Sequence, residues 1–138
     1  MTNICTKRAL AASAAVTLLL LSPASLVRAQ AGVERKVLLQ EDLTIPAGGY
    51  QVTLIGVTIA AGAREGQHTH PGTLVGQVQE GELMLEKQGL PTQIYKAGES
   101  FSVKPGQIHE GMNHGQTPIK ILVTVVAEKG KPLTTQVK

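Results

Sequence analysis

The chain is poor in the residues that most often carry covalent or recognition chemistry. It has one cysteine, Cys5, no tryptophan, and only Tyr50, Tyr95 and Phe101 as aromatics in 138 residues. A single thiol makes no internal disulfide, and Cys5 lies in the leader described below, so disulfide and thiolate chemistry are excluded from the mature domain. There is no glycine-rich phosphate loop and no Gly-x-Ser-x-Gly elbow. Basic stretches interleaved with aromatics are absent as well, so no nucleic-acid partner is expected. Long apolar runs are also missing. The most apolar segment, residues 9–21, has 13 residues where a bilayer span needs about 20.

That segment reads as a secretory leader. Lys7 and Arg8 precede it, Ser22-Pro23 breaks it, and Val27-Arg28-Ala29 and Ala29-Gln30-Ala31 place small residues where a signal peptidase cuts. Residues 1–31 are therefore expected to be a signal peptide, cleaved after Ala29 or Ala31. Residues 32–138 remain as a single domain, periplasmic or secreted, with no stable membrane insertion. The formal charge of +3 comes from 13 basic and 10 acidic residues, but Lys7, Arg8 and Arg28 leave with the leader. The mature domain is near neutral, and the basic isoelectric point carries no message about partners. Lys7-Arg8 does not make a twin-arginine signal, so the chain is expected to cross unfolded and to acquire any metal outside the cytoplasm.

Along the domain, short β-prone runs alternate with turns. Residues 37–39 read as a first strand, 45–49 as a turn, and 50–60 as a long strand rich in β-branched residues. A loop over residues 61–66 leads to the histidines. Residues 74–78 and 83–85 flank Gln79-Glu80-Gly81-Glu82 and read as a hairpin. Further strands are expected at 93–95, 101–103, 108–111 and 119–127, and the polar tail 129–138 is expected to lie on the surface or fray. No 3.6-residue apolar period persists after the leader, so the fold class is all-β, a sandwich or barrel with an aliphatic core.

The chemistry concentrates in His68-Thr69-His70 and in Lys104-Pro105-Gly106-Gln107-Ile108-His109. Histidines at i and i+2 on a strand share one face, with Cβ atoms roughly 6.5–7 Å apart. Two rings leaning inward can then bring nitrogens to one metal at about 2.0–2.2 Å. His109, on a separate strand, can close the face.

Two spacings carry a family resemblance. The first runs from Gly62 through five residues to His68-Thr69-His70, then three residues to Leu74 and six more to Gly81. The second runs from Gly98 through five residues to Lys104-Pro105-Gly106, then to His109 and Asn113. With these motifs the chain resembles small single-domain cupins of the quercetinase-like kind, over roughly residues 40–130. The resemblance implies a double-stranded β-helix (a jelly-roll barrel), a homodimer, and metal ligands at His68, His70 and His109. Two positions depart from the pattern: Leu74 stands where many cupins have a glutamate ligand, and Lys104 replaces the proline opening Pro-x-Gly.

Three neutral imidazoles without a carboxylate would leave a divalent ion its full charge, favouring an anionic, chelating substrate. Three facial ligands on an octahedral ion leave room for such a substrate and dioxygen; a tetrahedral zinc keeps one open position. The expected cofactor is one divalent transition metal among copper, zinc, iron, manganese and nickel, with export favouring copper and zinc. The expected function is a metal-dependent, dioxygenase-like oxidoreductase acting on a small anionic molecule such as a diketone, enol or flavonol. The alternative is a module that binds metal or a small ligand without turnover. No catalytic acid or base is assigned. Glu65 and Gln67 lie near enough in sequence to offer a replacement oxygen ligand. His114 reads as a rim histidine and Glu110 as solvated surface, while Gln77, Tyr95, Phe101 and Met112 read as barrel lining or core.

Overall fold

The computed structural model describes residues 31–43 and 49–138. The expected leader, up to residue 30, and residues 45–48 of the expected turn lie outside the described residues, as does residue 44. Ten strands and no helix are found among the described residues: β1 (Val33–Asp42), β2 (Tyr50–Ile59), β3 (His68–Thr69), β4 (Thr73–Glu80), β5 (Glu82–Lys87), β6 (Gln93–Lys96), β7 (Ser100–Val103), β8 (His109–Met112), β9 (Ile119–Glu128) and β10 (Thr135–Gln136). They form two five-stranded antiparallel sheets, ordered β1-β2-β9-β4-β7 and β10-β3-β8-β5-β6. The all-β expectation holds.

β2 and β9 make the backbone of the first sheet, pairing in unbroken register from Tyr50↔Glu128 to Ile59↔Ile119. Both are dense in Val, Ile and Thr, whose branched side chains suit a pleated surface. Alternation then decides what is buried. Ile55, Val57 and Ile59 of β2 face inward with Ile119, Ile121, Val123, Val125 and Ala127 of β9. Leu83 and Leu85 of β5 meet them from the second sheet. Burying each such aliphatic contributes about 1.5–3 kcal/mol, so the core compensates for having Phe101 as the one buried aromatic among the described residues.

Three expectations change. Residues 74–85 are not a hairpin: β4 pairs with β7 and β9, whereas β5 pairs with β6 and β8. Gly81, at φ 83°, turns the chain from one sheet to the other, and the left-handed backbone it needs is open to glycine at no steric cost. The first strand is longer than residues 37–39, and a bulge between Val37 and Leu39 separates its inward-facing start from its exposed end. The tail does not simply cover the surface: β10 pairs with β3, joining Thr135 to Thr69 and Gln136 to His68.

Candidate functional site

All three singled-out histidines sit on or beside the second sheet and point into the barrel. His68 on β3 lies directly opposite His109 on β8. His70 falls one residue past β3, so the shared-strand argument for the pair holds only for its first member. His70 is held by two other elements instead. Its carbonyl accepts from Gly106 N at 2.9 Å, which ties it to the turn before β8. Its ring reaches the carboxy-terminal tail, where Nδ1 lies 2.6 Å from the Leu133 carbonyl oxygen. Behind it, Gly72 passes so close to the Val126 carbonyl that any Cβ would collide with it.

The three rings converge, with centroids 4.3 Å apart for His68 and His109 and 5.0 Å apart for each pair involving His70. One nitrogen from each lies within 4.8 Å of the others. Every Nδ1 faces a backbone carbonyl: Gly66 for His68 at 2.8 Å, Leu133 for His70 at 2.6 Å, and Gln107 for His109 at 2.9 Å. A carbonyl oxygen only accepts, so Nδ1 carries the proton in each ring and Nε2 keeps its lone pair. Backbone anchoring of this kind fixes tautomer and orientation in metal-ligating histidines.

Burial keeps the rings neutral. It lowers all three histidine pKa values, that of His70 to about 4, with the hydrogen bonds from Nδ1 opposing the shift. Nitrogens around one ion at about 2.0–2.1 Å would stand about 3–3.4 Å apart. The observed spread needs only modest closing of the rings. Three buried, neutral, convergent Nε2 donors suit a transition metal, and the donor set passes that chemical test.

Around the histidines the cavity measures about 40 Å³ and is walled mainly by apolar side chains, Leu74 and Phe101 among them. A water molecule needs about 10–15 Å³ on this scale, so the cavity has room for about three or four. Leu74 is buried, and no carboxylate takes the place it occupies in the motif. Of the two suggested replacements, Gln67 is exposed and borders a separate, more open cleft of about 160 Å³ beyond His109. Glu65 does enter the histidine cavity, but its oxygens stand outside the nitrogen cluster. It pairs with Arg35, Nη2 to Oε1 at 2.8 Å. Burial pushes the Glu65 carboxyl up, and Arg35 opposes that shift.

Glu110 corrects another expectation. It does face away from the cavity, yet it is buried, not solvated. Both nitrogens of the Arg64 fork grip its carboxylate, Nη2 at 2.6 Å, and Gly66 N donates to it at 2.9 Å. The Arg64 guanidinium holds the Glu110 carboxyl below its ordinary range. Because Gly66 also supplies the carbonyl for His68, Glu110 fixes the loop that aims that ring. Asn113 is structural: Nδ2 donates to the Ile59 and Thr117 carbonyls, and Oδ1 accepts from Gly115 N. His114 is exposed on the rim, as expected, whereas Gln77 points outward. Tyr95 and Phe101 meet at a 44° tilt with ring centroids 5.3 Å apart, and Met112 is buried.

Sequence reasoning missed Arg35 and the Leu133 carbonyl. Arg35 had a signal, since it shares the face of Val33 two residues away, but that face counts only if the strand starts before Val37.

Comparison with known proteins agrees with this architecture. Residues 56–125 match the cupin domain model. A germin-like protein, subfamily T member 3 of Arabidopsis thaliana, is 34% identical over 82 residues, covering 56% of this chain and 36% of that protein. The chain thus spans about a third of that relative's length. A solved protein with a double-stranded β-helix domain from Klebsiella pneumoniae is 26% identical with a TM-score of 0.61, over 80% of this chain and 88% of that one. An oxalate oxidase solved with glycolate has a TM-score of 0.62 at 24% identity, over 80% and 57% of the two chains, a likeness of fold. The paired motifs, the two facing sheets and the convergent histidines are thereby accounted for together: this chain belongs to the cupin domain family.

Proposed function

We propose that the protein is an exported, metal-dependent oxidoreductase of dioxygenase-like type, acting on a small, anionic, chelating organic molecule. One observation carries this reading: His68, His70 and His109 each lock Nδ1 on a backbone carbonyl and turn Nε2 toward a shared point. A divalent transition metal held there would supply Lewis acidity and open coordination positions for a chelating anion and dioxygen. The chain's own residues do the rest. The backbone carbonyls hold the imidazoles neutral and oriented, and the aliphatic wall with Leu74 excludes bulk water.

The cavity volume narrows the substrate. Space for three or four waters suits a compact enol, diketone or acid and leaves no room for a flavonol without opening of the barrel. The oxalate oxidase that shares this fold was solved with glycolate, a ligand of the compact kind inferred here. We further infer export through the leader in residues 1–31, with metal acquired outside the cytoplasm. A second copy would cover the exposed apolar end of β1, where Val37, Leu38 and Leu39 lie on the sheet edge.

The test is metal content and oxygen uptake of protein taken from its native compartment. One equivalent of metal per chain and oxygen uptake with compact enols or acids are expected, and His70→Ala abolishes both. Metal-loaded protein with no uptake across such a panel would sink the enzyme reading. It would favour a binding module without turnover, a reading supported by Glu65: the carboxylate in the cavity is engaged by Arg35 instead of standing free as a base.

A further inference from the structure

The interior of the barrel holds one feature that neither the metal reading nor the core explains. Arg35 stands on β1 opposite Val57, which faces the cavity, and its side chain is 16% exposed. Its partner Glu65 is 12% exposed. Both line the same cavity as the three histidines, among walls that are otherwise apolar except for Thr134. A buried ion pair is a poor way to stabilise a core, because desolvation offsets much of the attraction and an apolar pair of similar volume does as well or better.

The geometry of the pair is also incomplete as a salt bridge. A guanidinium has five N–H donors in a rigid fork suited to two parallel bonds with a carboxylate. One bond, from Nη2 to Glu65 Oε1, is found among the described residues. Glu65 is fixed from behind: its N–H donates to the Gly111 carbonyl at 2.9 Å. Its Oε2 occupies the space a Cβ at Gly111 would take, against β8 and two residues from His109. Glu65 therefore steadies the arginine while leaving most of its fork to the cavity.

We propose that Arg35 is a specificity-determining residue that receives the carboxylate of a short organic acid whose other oxygen donor reaches the three histidines. Glu65 is the positioning residue that holds the guanidinium in place. The ligand class is a compact 2-hydroxy acid, 2-oxo acid or dicarboxylate, with both ends spanning a cavity of about 40 Å³. This assignment rests on the metal reading for the far end of the ligand, but not for the arginine end.

The experiment compares acids with their neutral amides. Calorimetry on metal-loaded protein would measure glycolate against glycolamide and malonate against malonamide, with metal content determined on each sample. Wild type binds the acids at least tenfold more tightly than the amides. Arg35→Met removes that preference with metal content unchanged. Arg35→Lys, which keeps the charge beside Glu65 and so guards against misfolding, lowers it several-fold. Glu65→Gln weakens acid binding and leaves amide binding alone. Equal acid preference in wild type and Arg35→Lys, or an equal loss for acid and amide in both Arg35 variants, would overturn the assignment. A separate readout on metal-free protein follows the Arg35 side-chain N–H resonances on adding malonate. A shift there supports the Arg35 end independently of metal, so that loaded samples found to hold no metal would then sink the metal reading alone; an unmoved signal at saturating malonate sinks Arg35.

Discussion

The two sheets face one another across the same core, yet they are built on different terms. In the first, ten-residue strands pair in long register and alternate cleanly between buried aliphatics and outward residues. In the second, the strands that carry the histidines run two and four residues. Little ladder holds them. Their positions come from single hydrogen bonds and ion pairs: Leu133 on His70, Gly106 on His70, Glu110 on Gly66 and Arg64. One sheet is thus a stable wall, and the other is a set of ligands hung on it by discrete ties.

That contrast can be broken from either side. In the wall, Ile59 is fully buried. Ile59→Ala should cost about 2–5 kcal/mol in denaturant unfolding, through lost transfer energy and the cavity left behind. It should leave metal stoichiometry unchanged. In the ligand sheet the ranking reverses. Deleting residues 133–138 removes the carbonyl that orients His70 and the strand beside His68. Metal affinity, measured by chelator competition, should fall about 10–100-fold, the usual range for losing an orienting partner.

Acid should act on the ligand sheet first. In the metal-free protein the folded-state pKa of His70 is lowered to about 4, against an ordinary value of about 6.5. Between those values the unfolded chain binds the proton and the folded chain does not. Stability is therefore complete above about pH 6.5 and is lost progressively as the pH falls through about 4. Melting temperature measured across that window should drop, and His70→Ala should flatten the slope. Smallest of all, Lys120→Ala breaks an exposed pair with Glu80 at 3.0 Å on the outside of the wall. It should change stability by about 0–0.5 kcal/mol, and a larger loss would mean the wall depends on surface charge after all.

What the sequence made legible divides along the same line. β2 and β9 announce themselves because alternation of branched residues is a local property of the chain. The histidines are legible because motif spacing places them. Residues 79–82 misled because a turn that joins two sheets uses the same residue types as a turn within one. The roles of Arg35, Glu110 and Leu133 were hidden for a different reason, although the face Arg35 shares with Val33 was visible. Each acts on a residue 30 or more positions away, as Arg35 does on Glu65 and Leu133 on His70. A backbone carbonyl, moreover, has no side-chain signature at all.

The place of β9 between β2 and β4 has a kinetic consequence. The strand at the centre of the wall is synthesised after both of its neighbours, so neither can be fully paired until a chain segment dozens of residues away has closed onto it. Closing such loops is paid in entropy before contacts return it, which slows folding into the millisecond-to-second range common for non-local β topologies. No amino-terminal fragment ending before β9 holds a complete wall, so the domain should assemble in one cooperative event and not from a preformed half.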